Sequence, residues 1–104
     1  MTIFEKGLSA YFPVEIIKKI QSVRIGIAGA GGLGSNCAMN LVRSGLKMFR
    51  ICDFDKVQSS NLNRQFYFID QIGKTKVEAL SENLKKINPD LDIEALQIRV
   101  DPIN

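Results

Sequence analysis

Val23-Arg24-Ile25-Gly26-Ile27-Ala28-Gly29-Ala30-Gly31-Gly32-Leu33-Gly34-Ser35-Asn36 is the stretch that decides how the chain is read. Val23 to Ala28 is a short apolar run suited to a buried strand. It meets the glycine-rich turn Gly29–Gly34, and helical spacing starts at once with Leu33, Cys37, Leu41 and Val42. Strand, glycine turn and helix in that order open a Rossmann-like nucleotide-binding fold. The reasons are steric. Gly29 lets the chain turn tightly, Gly31 or Gly32 lets a phosphate approach the backbone, and Gly34 lets the helix pack close to the strand. Free N–H groups at the helix start then face the phosphates, with the helix dipole favouring their negative charge. The competing reading is a tight strand–helix turn that binds nothing; the strand before it and the amphipathic helix after it weigh against that.

Outward from this turn, residues 1–22 read as a helical lead-in. Phe4, Leu8, Tyr11 and Phe12 recur at three- and four-residue spacing, and Pro13 opens a second helix, Val14–Gln21, expected to pack on the core. The helix after the glycine turn should run from Leu33 to Ser44 and stop at Gly45. Met48–Asp53 reads as the second strand. Asp53 lies about 20 residues beyond the turn, the distance at which dinucleotide folds place a ribose-binding acid. A solvated turn acid is the competing reading. Phe54–Ile72 is a long polar connection, ordered by Phe66, Tyr67 and Phe68. A helix is expected over Lys74–Ile87, ended by Asn88-Pro89, and a last strand over Ile93–Val100.

This predicts an α/β fold: the first β-α-β-α-β half of a doubly wound, mainly parallel sheet, in one nucleotide-binding domain, preceded by an N-terminal helical segment. Val23–Ala28 would be left as an apolar edge. The expectation is therefore the first part of a longer polypeptide, or a partner covering that edge.

Composition narrows the class. The 104 residues are 45% apolar and 24% charged, with a net charge of +3. That suits phosphate ligands and gives no argument for nucleic acid. No apolar run is long enough to cross a membrane, and Glu5 and Lys6 spoil any signal-peptide pattern, so a cytoplasmic protein is expected. The absence of histidine removes histidine catalysis and ligation from this chain. Cys37 and Cys52 lack metal-ligand spacing and read as core thiols, and no metal-binding residue is assigned.

The glycine turn plus Asp53 fits NAD, FAD, S-adenosylmethionine or ATP alike. What discriminates is Asp53-Phe54-Asp55-Lys56-Val57, then Ser60-Asn61-Leu62-Asn63-Arg64-Gln65, then Gly73-Lys74-Thr75-Lys76. With Gly29–Ser35, these stretches resemble the ThiF/MoeB family, relatives of the ubiquitin-activating enzymes. All four motifs occur in order and at matching spacing. The Phe4-Glu5-Lys6-Gly7-Leu8 opening and Ile87-Asn88-Pro89-Asp90 are most similar to the bacterial members that adenylylate the sulfur carrier ThiS for thiamine synthesis.

The resemblance implies an adenylyltransferase. The C-terminal glycine carboxylate of a β-grasp, ThiS-like carrier protein attacks the α-phosphate of ATP with Mg²⁺, and pyrophosphate leaves. On this resemblance Arg64 and Lys76 are the catalytic residues, since a planar fork and a mobile point charge both answer charge growing on the leaving group. Gly29, Gly31, Gly32, Gly34, Asp53, Asn61, Arg64, Gln65 and Lys76 form the nucleotide site. Asp55 lies near the metal or caps a turn, with the turn preferred. The full-length form is expected to be a homodimer. In the family an aspartate after the fourth strand helps hold Mg²⁺, and this chain ends before that point. The family's Cys-x-x-Cys motifs and transfer cysteine are absent here, and no arginine precedes Arg24, leaving Lys6 as a conjectural stand-in for the arginine some relatives lend their neighbour. The alternative is a non-catalytic nucleotide-binding module or a degenerate paralogue needing another chain. An NAD-dependent oxidoreductase half would leave Ser60–Gln65 and Lys76 unexplained.

Overall fold

The computed structural model describes residues 3–99. Three strands, β1 (Arg24–Ala28), β2 (Met48–Cys52) and β3 (Asp92–Leu96), form one parallel sheet in the order β1-β2-β3. Parallel neighbours need crossovers, and two twelve-residue helices supply them: α3 (Gly32–Arg43) and α4 (Lys76–Ile87). Two shorter helices, α1 (Ile3–Ser9) and α2 (Val14–Gln21), precede the sheet. This is the Rossmann-like β-α-β-α-β half with its N-terminal helices.

The register shows how the period-two pattern of each strand builds one apolar face. Phe49 stands between Ile25 and Ile93, and Ile51 between Ile27 and Ala95. These side chains meet Ala38 and Val42 of α3 and Val77, Leu80 and Leu84 of α4 in a single core. Val42, Ile51, Leu80 and Leu84 are all fully buried, each worth roughly 1.5–3 kcal/mol relative to exposure. The opposite face carries an in-register ion pair, Arg50 Nε to Glu94 Oε2 at 2.9 Å, with both partners about half exposed.

Element ends follow local chemistry. Gly45 adopts φ +104 just past α3, and Leu46 N–H reaches back to Leu41 O at 3.1 Å, a left-handed helix stop. Thr75 caps α4, its hydroxyl accepting from Glu78 N–H at 3.3 Å, so the helix starts at Lys76 and not at Lys74.

Other expectations need correction. The last strand is shorter than Ile93–Val100, ending at Leu96, with Val100 outside the described residues. Cys37 is exposed and Cys52 half-buried, so neither is a core thiol: the thiol of Cys37 sits on the flank of α3 beside the free edge of β1. The helical lead-in enters the core only through Ile17; α1 buries nothing fully, and Tyr11 is 84% exposed. Its seat is the tight α3–β2 corner, where Leu8 and Ile20 pack over Gly45.

Candidate nucleotide site

The site gathers at the carboxyl ends of β1 and β2, where open parallel sheets place their ligands. The ladder runs on past both strands, with Gly29 N–H donating to Cys52 O at 2.7 Å and Asp53 N–H to Leu96 O at 3.1 Å. Between these ends lies a cavity of about 330 Å³ walled by Gly29, Cys52, Asp53, Phe54, Ile98 and Arg99. The Arg99 guanidinium stacks over the Phe54 ring at 4.5 Å, closing one side.

The four glycines of the turn have different reasons to be glycine. Gly29 has φ +98, which disfavours any side chain. Gly34 has no room: a Cβ there would stand 2.0 Å from Gly29 O. At Gly31 and Gly32 the chain itself leaves space, since a Cβ would meet nothing closer than Gln65 Nε2 at 4.0 Å and Arg64 O at 3.6 Å respectively. Those two positions form a cradle that a side chain would fill. The cradle faces the start of α3, where Gly31, Gly32, Leu33 and Gly34 N–H groups have no acceptor among the described residues.

Asp53 sits in the cavity wall as expected, but its carboxylate is already engaged. Oδ2 accepts from Ala30 N–H at 2.7 Å and Oδ1 from Asp55 N–H at 2.8 Å. Each oxygen keeps a further lone pair for a ligand hydroxyl. Asp55 lines the same cavity, and its bonds here are those of its backbone: N–H to Asp53 Oδ1, and a carbonyl that accepts from Lys76 N–H at 2.9 Å.

The long connection is a built wall. Two 3-10 turns, Ser59–Asn61 and Ile69–Gln71, bracket it. Asn36 Nδ2 donates to Gly32 O and Arg64 O at 2.6 and 2.8 Å, and Ser35 Oγ accepts from Phe66 N–H at 3.1 Å. These bonds lay Arg64 and Gln65 over the cradle. Further on, residues 55–57 run antiparallel to 73–76 through Val57 N–H to Lys74 O at 2.8 Å and Gly73 N–H to Val57 O at 2.9 Å. That ladder carries the first residue of α4 back to Asp53.

Of the expected site residues, then, the structure brings together the glycine turn, Asp53, Arg64, Gln65 and Lys76. Arg64 is exposed, its Nη1 donating to Ser60 O at 3.0 Å and Asn63 Oδ1 at 3.3 Å. Gln65 is buried with an amide oxygen that has no partner in the structure. Lys76 is 7% exposed, and its ammonium has no acceptor among the described residues. Asn61 is different: it is buried, and its Oδ1 accepts from Gln58 N–H at 2.8 Å, shaping the loop from within.

Sequence reasoning missed three groups. Tyr67 donates its hydroxyl to Ala30 O at 2.5 Å, with Lys76 O a second acceptor at 3.4 Å. Burial pushes its pKa well above the usual tyrosine value, and the Asp53 charge adds to the rise. Gln71 and Asn83 exchange hydrogen bonds at 2.6 and 2.9 Å in a buried amide pair, which also takes Phe66 O, Ala79 O and Phe68 N–H. Ser35 is the third, visible in the sequence only as part of a motif.

With the geometry in place, comparison with known proteins assigns the family. The model of the ThiF family matches residues 6–104. The chain belongs to the ThiF family. Among similar proteins, ubiquitin-like modifier-activating enzyme 5 of Drosophila persimilis is 38% identical over 100 residues, covering 93% of this chain and 26% of that protein. The Xenopus laevis enzyme of the same name is 41% identical over 81 residues, covering 78% of this chain and 20% of that protein. In E. coli, tRNA N6-threonylcarbamoyladenosine dehydratase, TcdA, solved in complex with ATP, superposes with a TM-score of 0.88 at 29% identity. That match covers 95% of this chain and 41% of TcdA. The chain thus spans a fifth to a quarter of those two activating enzymes.

Proposed function

We propose that the protein of this chain activates a carboxylate with ATP, forming an acyl adenylate on the C-terminal glycine of a small β-grasp protein. The sulfur carrier ThiS, in thiamine synthesis, is the partner we favour, on the motifs shared with the bacterial ThiF proteins. The observation that carries the reading is Lys76. Its stem is packed against the protein while its ammonium has no acceptor among the described residues, which leaves a positioned positive charge open to an anion. Its backbone is linked through the Tyr67 hydroxyl to Ala30, next to a glycine cradle whose N–H groups lack acceptors among the described residues. The named relatives are activating enzymes, and TcdA holds ATP on the same fold.

On this reading the ribose hydroxyls meet the free lone pairs of Asp53, the phosphates lie along Gly31–Gly34, and Gln65, whose Nε2 lies over Gly31, donates an amide N–H to them. Lys76 and Arg64 answer charge on the departing pyrophosphate. Arg64 must exchange its bonds to Ser60 and Asn63 for phosphate oxygens. Asn61 supports this loop from beneath. No cluster of three metal-ligating side chains occurs among the described residues, and the lone pairs that Asp53 keeps are given to the ribose on this reading. We therefore assign no residue here to Mg²⁺, which would arrive with the triphosphate. A homodimer is proposed for the full-length protein.

The test is ATP–pyrophosphate exchange by the complete gene product with a β-grasp carrier. Arg64→Lys keeps the charge but loses the planar fork, and is expected to lower turnover by about a hundredfold or more. Lys76→Arg should be milder, and Lys76→Ala as severe as Arg64→Lys. Unchanged turnover with only a raised KM for ATP would show that these residues merely hold the nucleotide. Tighter binding of NAD than of ATP by calorimetry would end the adenylation reading.

A further inference from the structure

The glycine turn is held by more than its glycines. Ala30 is fully buried, and both of its backbone polar groups are taken by side chains from distant parts of the chain. Its N–H donates to Asp53 Oδ2 at 2.7 Å, and its carbonyl accepts from the Tyr67 hydroxyl at 2.5 Å. The peptide bond after Ala30 is trans, so the Ala30 carbonyl and the Gly31 N–H point in opposite directions. Holding the carbonyl on Tyr67 therefore aims the Gly31 N–H the other way. No described group accepts that N–H.

Gly31 itself does not choose this orientation. A glycine tolerates either sense of φ, so the Ala30–Gly31 peptide is free to rotate and present its carbonyl where the N–H now stands. Such a flip would put an oxygen in front of any bound anion. We infer that Tyr67 is a positioning residue: its hydroxyl sets the Ala30–Gly31 peptide plane so that the Gly31 N–H faces a phosphate oxygen of the nucleotide. This rests on the nucleotide reading above. Tyr67 is 5% exposed, so water does not compete for its hydroxyl, and the bond also ties the turn to the start of α4. A phenol is protonated, hence a donor, through the physiological range, and burial moves its ionisation further away. The residue reaches the ligand only through the peptide it holds.

The experiment uses the ¹⁵N-labelled complete gene product with Tyr67→Phe, which keeps the ring and removes the donor, and a second variant carrying 3-fluorotyrosine at position 67, which keeps both. Residual dipolar couplings report the direction of the Gly31 N–H relative to α3 without ligand, and titration with ATP reports affinity. Tyr67→Phe is expected to change the Gly31 coupling while α3 and the sheet keep theirs. It should weaken ATP binding about five- to tenfold, the loss of one hydrogen bond's worth of orientation. The 3-fluorotyrosine variant should match the wild type in both. An unchanged Gly31 coupling in Tyr67→Phe overturns the positioning role, whatever ATP does. If instead the coupling changes but wild-type amides ignore ATP, the nucleotide reading is what fails, and the phosphate half of this inference falls with it.

Discussion

An alanine at Gly34 would place its Cβ 2.0 Å from the Gly29 carbonyl oxygen, a backbone atom that cannot swing aside. Gly34→Ala should therefore cost on the order of 3 kcal/mol or more in unfolding free energy. Gly31→Ala meets nothing closer than 4.0 Å and should leave stability nearly unchanged while weakening ATP binding. Thermal unfolding beside calorimetry separates the two, and equal melting losses would mean that the cradle is structural. Tyr67 gives a prediction of another kind. In the native state its phenol stays protonated beyond the pH at which the unfolded chain loses that proton, near pH 10. Above that pH the native state binds the extra proton, so stability falls by about 1.4 kcal/mol per pH unit until the native phenol itself ionises. Denaturant titrations from pH 8 to 11 should show this limb in the wild type and a shallower one in Tyr67→Phe. Identical slopes would place the alkaline loss elsewhere.

At the scale of elements, what the sequence made legible were those with a repeating pattern. The glycine turn, the α3 stop at Gly45 and the seat of Asp53 at the end of β2 follow from periodicity and from backbone conformations that only glycine adopts easily. The connection from Phe54 to Thr75 has no period, and its order comes from single side chains bonding to distant backbone. Ser35, Asn36 and Tyr67 could be seen to be polar or aromatic, but their partners lie 28 to 37 residues away. Cys37 departs from a core thiol because α3 is one-sided against an edge strand, which leaves its flank open. A signal for Asn83 did exist: it stands between Leu80 and Leu84 on the buried stripe of α4, where a polar residue needs a partner. Asn83→Ala would leave the Phe66 carbonyl without its donor and take one partner from each end of the Gln71 amide, in a dry place. The expected loss is about 2–3 kcal/mol, with the Arg64–Phe66 backbone exchanging amide protons faster. A double-mutant cycle with Gln71→Leu should show strong coupling, and additive losses would mean that the amide pair is not a unit.

The whole molecule is a half-layered object. Its extents are 40 × 34 × 18 Å, with the two crossover helices on one face of a three-stranded sheet. β1, the strand that carries the glycine turn, pairs with β2 alone among the described residues. Ile25 and Ile27 are half-buried, Leu33 is 89% exposed, and a cleft of about 550 Å³ runs between β1 and α3. An apolar parallel strand at an edge is the arrangement that folded proteins usually cover. The nucleotide site therefore leans on the least supported strand of the sheet, since Gly29 continues β1 directly. A polypeptide segment, or a partner, that adds a strand beside β1 should stabilise sheet and turn together. Amide hydrogen exchange in this chain and in the complete gene product tests it. Arg24–Gly29 should slow by tenfold or more in the longer protein, equivalent to about 1.4 kcal/mol of added local stability, while Phe49–Ile51, already flanked on both sides, changes far less. Equal protection of β1 in both would show that the edge needs no cover, and that the glycine turn is as firm in this chain as it will become.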